Sequence, residues 1–109
     1  MGVRRGDVVI VVAPGDYGKP RPALVLQSDM FHHTTSVVVA LLTSAQQPAA
    51  GLLRKPILPM DGNGLRQPSD VMIDKLVTLR REKLGEPIGH LTSSEMAEIT
   101  AALALFLGM

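Results

Sequence analysis

The stretch GKPRPALVLQSD, residues 18–29, places Arg21 between two prolines and directly before an apolar run. Pro22 disfavours helical backbone angles at Arg21 and favours extended ones. The run Ala23–Gln27 is aliphatic and too short for a helix, which predicts a β-strand. Arg21 is therefore expected at the start of a strand with its backbone held from both sides, although prolines are also common where ordinary edge strands begin.

Further apolar runs, separated by turn-forming residues, predict a sheet around this strand. The loop PGDYGKP, residues 14–20, is rich in Pro, Gly and Asp and predicts a hairpin between the first two strands. RREKLGE, residues 80–86, is expected to form a short helical turn. The other candidate strands are Asp7–Ala13, Ser36–Leu42, Ile57–Leu58, Val71–Ile73 and, as an extension, LVTL at residues 76–79.

The last segment has the period of a helix. Thr92 followed three residues later by Glu95 predicts a capping box at its start. The apolar residues Met96, Ile99, Leu103 and Phe106 then share one face. Leu105 and Leu107 fall off that face, so the helix is expected to be buried on more than one side, with a second subunit as one source of cover. Short strands followed by one helix predict a mainly β protein, a small barrel or a strongly curved sheet.

The composition bounds the class of protein. A chain of 109 residues predicts a single domain over residues 1–109, and its 46% hydrophobic content supports a core. The absence of Cys excludes disulfides and thiolate chemistry. No apolar run reaches the length of a spanning helix, and the N-terminal run is interrupted by Asp7 and lacks a cleavage pattern. A soluble, cytoplasmic protein that does not bind a membrane is expected.

Charge is unevenly distributed along the chain. All 11 Lys and Arg residues and seven of the ten acidic residues lie in residues 1–83, whereas the rest carries only Glu86, Glu95 and Glu98. A basic body of this kind permits a polyanionic partner on one face. The three histidines are too scattered to suggest a metal site, and no phosphate-binding glycine loop is present, so no metal and no cofactor are predicted.

Polar residues at the ends of predicted strands are the remaining candidates for chemistry. Arg21 starts one strand, Thr43 and Ser44 end another, and Asp74 and Lys75 follow a third. An Arg fork donates paired hydrogen bonds to phosphate, and a Thr hydroxyl can donate another. Such donors would stabilise the charge that develops when a ribose 2′-OH attacks a phosphodiester. Two plainer alternatives stay open: Thr43 and Ser44 cap a turn, and Asp74 and Lys75 are merely solvated.

Three motifs in order carry a family resemblance. They are RRGDVV at residues 4–9, RPALVLQSD at 21–29 and TTSVVVALLTS at 34–44, and weaker similarity continues to Gly108. Together they resemble the MazF/PemK toxin endoribonucleases of bacterial toxin–antitoxin pairs. The resemblance implies an SH3-like barrel with a C-terminal helix, a homodimer, and metal-independent, sequence-specific cleavage of single-stranded RNA that leaves a 2′,3′-cyclic phosphate.

The same resemblance assigns roles to residues. Arg21 and Thr43 match the catalytic pair of the family, and Asp74 is a second candidate because some relatives use an Arg and an Asp on the later strand. Met72 occupies that Arg position here, and the first hairpin loop lacks the usual Gly-Ser-Glu element. The residues expected to contact RNA are Tyr17, Lys19, Gln27, Ser28, Ser44 and Lys75, with further phosphate contacts from Arg4, Arg54 and Lys55. A cognate antitoxin with an acidic, disordered segment is the expected protein partner.

Two other functions fit the same scaffold. The CcdB toxins share the barrel and poison DNA gyrase through residues at the end of the C-terminal helix, without cutting RNA. Here that end reads LALFLGM and lacks an exposed polar pattern, which argues against this alternative. An inactive relative that only binds RNA or an antitoxin is the third hypothesis, and retention of both Arg21 and Thr43 argues against it.

Overall fold

Six antiparallel strands and one C-terminal helix make up the fold. The computed structural model describes residues 2–109, so Met1 of the predicted domain lies outside the described residues. The strands lie in the order β4-β5-β3-β2-β1-β6. Their bounds are β1 Asp7–Val11, β2 Arg21–Val25, β3 Ser36–Thr43, β4 Arg54–Ile57, β5 Ser69–Arg80 and β6 Gly89–His90, and the helix α1 spans Ser93–Leu107. The predicted mainly β architecture with a C-terminal helix is confirmed.

The longest strand differs from the prediction. The candidates Val71–Ile73 and LVTL are parts of one strand, β5, which pairs with both β3 and β4. Its pairing with β3 shifts register between Ala40 and Leu42, where the polar residues Asp74 and Lys75 interrupt the apolar pattern of β5. A register shift of this kind bends a strand, and the bend curves the sheet into a half-barrel.

The sheet buries residues on both of its faces. Neighbouring residues of β1 illustrate this, since Val8 and Val9 are both fully buried but belong to different apolar clusters. Successive side chains of a strand point to opposite faces, so each face has its own core. The helix covers one of them through Ile99, which is fully buried with Leu24, Leu42 and Ile73.

Both ends of α1 are capped, and the cap at its start is the capping box that the sequence predicts. The Thr92 hydroxyl accepts a hydrogen bond from the Glu95 backbone N–H at 3.1 Å, and the Glu95 carboxylate accepts one from the Thr92 N–H at 2.9 Å. Gly108 ends the helix in the left-handed conformation, with φ of 76°. Among residues 2–109 there is no helix with the length and apolar character needed to cross a membrane.

The predicted burial of Phe106 is wrong for the single chain. Ile99 is buried and Met96 and Leu103 are half-buried against the core, but Phe106 is 47% exposed. Leu105 and Leu107 are exposed beside it. The apolar side chains of the last helical turn are therefore left largely uncovered within one chain.

Candidate active site

Arg21 is positioned at the start of β2, next to the hairpin loop. Its register partner on β1 is Val11, the last residue of that strand. The Arg21 Nε atom lies 2.8 Å from Asp16 Oδ2 in the hairpin loop, and both side chains are half-buried. The two atoms form an ion pair without a directed hydrogen bond. Asp16 therefore anchors the Nε edge of the guanidinium and leaves its two terminal nitrogens for another partner.

Strand register brings Thr43 beside Arg21. β2 and β3 are antiparallel with Ala23 opposite Leu41, and continuing that register by two residues places Arg21 opposite Thr43. Directly opposed residues of an antiparallel pair project from the same face, with Cβ atoms about 5 Å apart. The Thr43 Oγ1 atom accepts a hydrogen bond from the Ala45 N–H at 3.1 Å. Its own proton therefore stays available for donation.

A buried carboxylate holds the turn that follows Thr43. Asp70, opposite Thr43 on β5, is only 2% exposed. It accepts hydrogen bonds from the Gln47 backbone N–H at 2.9 Å and from Gln46 Nε2 at 3.2 Å. These contacts fix the end of the turn at Gln46 and Gln47, and Ser44 is exposed between that end and Thr43.

Arg21 and Thr43 line a cleft with a volume of about 550 Å³. Another wall of the cleft comes from residues 64–67, in the long loop between β4 and β5, and from Ile88. Polar side chains along the cleft include Lys19, Arg21, Thr43, Ser44, Arg66 and Gln67. Three of these six are cations, and neither Lys19 nor Arg66 is in an ion pair within the described residues. A groove lined in this way attracts a chain of phosphates.

The remaining predicted site residues lie elsewhere. Gln27 and Ser28 follow the far end of β2, where the Gln27 amide donates to Thr34 Oγ1 at 2.7 Å and Ser28 caps a short helical turn. Asp74 and Lys75 lie at the bend of β5 and do not line the cleft, and the Asp74 Oδ1 atom is buried without a hydrogen bond. Tyr17 is fully exposed in the hairpin loop. The structure thus brings together Arg21, Thr43, Ser44 and Lys19 in the cleft, and the other five predicted residues do not line it.

The other predicted phosphate contacts are also separate from the cleft. Lys55 Nζ lies 2.6 Å from Glu98 Oε2 on the helix, and the Arg4 backbone N–H donates to Asp7 Oδ2. Arg54 starts β4 with its Nε atom buried. Within residues 2–109, no three His, Asp or Glu side chains are grouped closely enough to hold a metal ion.

Four residues at or beside the cleft escaped prediction: Asp16, Arg66, Gln67 and Asp70. Asp16 lies five residues before Arg21 in a turn-forming loop. Opposite charges at this spacing could have predicted an ion pair across the hairpin. Asp70 directly precedes the apolar run Val71–Ile73, and this position was a second signal, since a carboxylate buried with that run needs partners. Arg66 and Gln67 carry no local signal, because only the packing of their loop brings them to the cleft.

Comparison with known proteins gives a consistent result over the whole chain. The family described as "PemK-like, MazF-like toxin of type II toxin-antitoxin system" matches residues 4–107. A protein named probable endoribonuclease MazF, from Mycolicibacterium smegmatis (strain ATCC 700084 / mc(2)155), is 42% identical over 108 residues, 98% of each chain. The chain belongs to the PemK/MazF toxin family.

Solved structures of MazF toxins share the fold. The Mycobacterium tuberculosis toxin MazF-mt6 superposes with a TM-score of 0.80 at 27% identity, covering 94% of this chain and 97% of that one. A mycobacterial endoribonuclease in complex with its cognate antitoxin gives the same TM-score at 26% identity, covering 98% and 96%. The PemK/MazF match confirms the resemblance carried by the three motifs, and nothing in it supports a gyrase poison.

Proposed function

We propose that this chain is the endoribonuclease toxin of a toxin–antitoxin pair and that it cuts single-stranded RNA in the cleft between β2, β3 and the loop of residues 64–67. The observation that carries the proposal is the placement of Arg21 opposite Thr43 in a cleft lined with cations. The names of the relatives agree with this activity. Because messenger RNA is the proposed substrate, the cytoplasm is the proposed location of the protein.

The reaction proposed is transesterification by the RNA itself. The ribose 2′-oxygen attacks the adjacent phosphorus, the bond from phosphorus to the 5′-oxygen breaks, and the products are a 2′,3′-cyclic phosphate and a 5′-hydroxyl. The 2′-OH proton leaves to a base, and the 5′-oxygen gains a proton as it departs. The protein must stabilise the negative charge that grows on the equatorial phosphate oxygens.

Arg21 and Thr43 supply that stabilisation. The guanidinium stays charged at every relevant pH, and its terminal nitrogens are free to donate to two phosphate oxygens. Asp16 acts as a positioning residue, since it fixes the Nε edge. The Thr43 hydroxyl, oriented by the Ala45 N–H, donates a further hydrogen bond. A fixed positive charge at the phosphate removes the need for a metal ion.

The flanking residues hold the RNA strand. Lys19 and Ser44 line the cleft and reach the backbone on either side of the scissile phosphate. Tyr17, exposed at the hairpin loop, offers the one aromatic ring near this end for base stacking. Gln27, Ser28 and Lys75 can contact only an RNA that continues well beyond the cleft, and Asp74 stays a candidate without a place in the cleft.

Two protein partners are proposed, one for the cleft and one for the end of α1. An acidic, disordered segment of a cognate antitoxin would occupy the cationic cleft and exclude RNA by competition. One structural relative is described in complex with its cognate antitoxin. A homodimer would cover the exposed apolar last turn of α1, at Leu105, Phe106 and Leu107.

The activity is tested with a long, weakly structured RNA in excess EDTA. The wild-type protein is expected to yield discrete fragments, and Thr43→Val, which keeps the shape but loses the hydroxyl, is expected to cut about 10²-fold more slowly. Thr43→Ser, which keeps the hydroxyl, should recover much of the rate. Intact RNA with folded, antitoxin-free wild-type protein would contradict the proposed function.

Asp70→Asn tests whether the turn after Thr43 must be held in place for cleavage. The amide keeps the shape of the carboxylate but replaces one acceptor with a donor, so one of the two hydrogen bonds to the turn is lost. Because the loss of one such hydrogen bond costs on the order of 1 kcal/mol, we expect the maximal rate of RNA cleavage to fall by about tenfold. The KM should change little, because Lys19 and Arg21 are untouched. Single-turnover cleavage over a range of enzyme concentrations measures the maximal rate separately from the enzyme concentration that gives half of that rate. An unchanged maximal rate in a folded variant would show that the turn does not depend on this carboxylate.

A further inference from the structure

The loop between β4 and β5, which lines the cleft through residues 64–67, is held rigidly from inside. Asn63, only 3% exposed, organises it with three hydrogen bonds. Its Oδ1 atom accepts from the backbone N–H groups of Met60, at 3.3 Å, and Leu65, at 3.0 Å. Its Nδ2 atom donates to the Leu58 carbonyl at 2.9 Å. A buried amide with both ends satisfied fixes the backbone on either side of it.

The same loop is packed tightly against the opposite edge of the sheet. Gly64 has φ of 72°, and a Cβ atom there would lie 2.4 Å from the Ile88 carbonyl oxygen. A Cβ atom at Gly89 would lie 2.4 Å from the Gly62 carbonyl oxygen. The His90 N–H donates to the Gly62 carbonyl at 2.8 Å. Two glycines therefore allow an approach that no other residue permits, and the wall beside them is fixed in place.

Two polar side chains project from this fixed wall without partners. Arg66 and Gln67 are exposed and line the cleft. Among the described residues, no hydrogen bond or ion pair engages either side chain. Polar groups that are left free on a rigid support, facing a binding cleft, are preorganised for a ligand. Arg21 and Thr43 line the same cleft from strands β2 and β3, so a ligand in the cleft can place its phosphate on that pair and a base on Arg66 and Gln67.

We propose that Arg66 and Gln67 read the identity of an RNA base next to the scissile phosphate, which makes them determinants of the sequence that is cut. This inference rests on the proposed function. The Gln67 amide carries a donor and an acceptor, so it distinguishes bases by the order of their donors and acceptors. The Arg66 fork matches two adjacent acceptors, such as O6 and N7 of guanine. Side chains reach these base edges in single-stranded RNA, whereas the narrow major groove of an RNA duplex hides them.

The alternative role for Arg66 is a contact with the phosphate backbone. Such a contact strengthens binding to every sequence equally and carries no information about the base. The two roles therefore separate in the pattern of cleavage and not in the total rate. Gln67 is neutral, so its amide gains less from the charge of a phosphate than the Arg66 guanidinium does.

The test is cleavage of an RNA pool with randomised sequence, followed by sequencing of the new 5′ ends. Wild-type protein is compared with Arg66→Ala, Gln67→Ala and the control Lys83→Ala, an exposed cation that does not line the cleft. We expect the preference at one position of the cleavage site to fall by about tenfold or more in Arg66→Ala or Gln67→Ala. The control should keep the wild-type sequence preference.

The outcomes separate the two claims. A uniform loss of rate with an unchanged site preference in both variants, confirmed as folded by thermal melting, would overturn the base-reading role and leave the ribonuclease intact. Absence of any cutting by the wild-type protein would overturn the proposed function and this inference with it. A preference that relaxes at one position in either variant supports base reading, and the position shows which base is read.

Discussion

Arg21→Ala is expected to lower the rate of RNA cleavage by about 10³-fold, within the range found when an arginine that stabilises a phosphoryl transition state is removed. Within residues 2–109, the Arg21 guanidinium is the only charged group lining the cleft that belongs to a strand, because Lys19 and Arg66 belong to loops. Without it, the charge on the attacked phosphate has only the Thr43 hydroxyl as a fixed donor. Single-turnover cleavage of an end-labelled RNA measures the loss.

A matched variant separates charge from geometry. Arg21→Lys keeps the positive charge but replaces the planar fork with a point charge, so it should recover only part of the lost rate. Both variants should remain folded, since the partner Asp16 is in a surface loop and not in the core. A rate within a few-fold of wild type for Arg21→Ala would remove this residue from the mechanism.

Ile99→Ala is expected to lower the free energy of unfolding by about 2–5 kcal/mol. Ile99 is the one residue of α1 that is fully buried, and it packs where the helix covers the core of Leu24, Leu42 and Ile73. Truncating it removes buried methyl groups and leaves a cavity between the helix and the sheet. Urea denaturation followed by circular dichroism measures the change.

An exposed leucine provides the control for that loss. Leu52→Ala truncates a side chain that is 65% exposed and is expected to change the free energy of unfolding by about 0.5 kcal/mol or less. A similar cost for both variants would contradict the packing of the helix described above. Because both proteins are compared at one concentration, any effect of subunit association is held constant.

The features that could be predicted from the sequence are those with local causes. The capping box of α1 depends on Thr92 and Glu95, three residues apart, and it is present as predicted. β5 was predicted in two pieces because Asp74 and Lys75 break its apolar pattern, whereas the backbone continues through them with a shift of register. Two polar residues in a row indicate that their side chains are not in the core. They do not indicate whether the backbone leaves the strand.

The candidate site divides in the same way. Arg21 and Thr43 were found because strand ends are visible in the sequence, and antiparallel pairing then places them together. Gln27 follows Arg21 by six residues of extended chain, about 20 Å, so the motif that contains both cannot bring both to one cleft. Arg66 and Gln67 reach it only because Gly64 and Gly89 let two distant segments touch, a contact that no local pattern records.

The most direct test of the account is cleavage of an RNA that carries a single 2′-deoxy nucleotide at its mapped cut site, in EDTA, with analysis of the ends. Because the 2′-oxygen is proposed as the nucleophile, we expect the deoxy substrate to bind normally and to stay intact, while the all-ribose RNA yields a 2′,3′-cyclic phosphate and a 5′-hydroxyl. Cleavage of the deoxy substrate at the same site, or fragments that carry a 5′-phosphate, would contradict the mechanism assigned to Arg21 and Thr43.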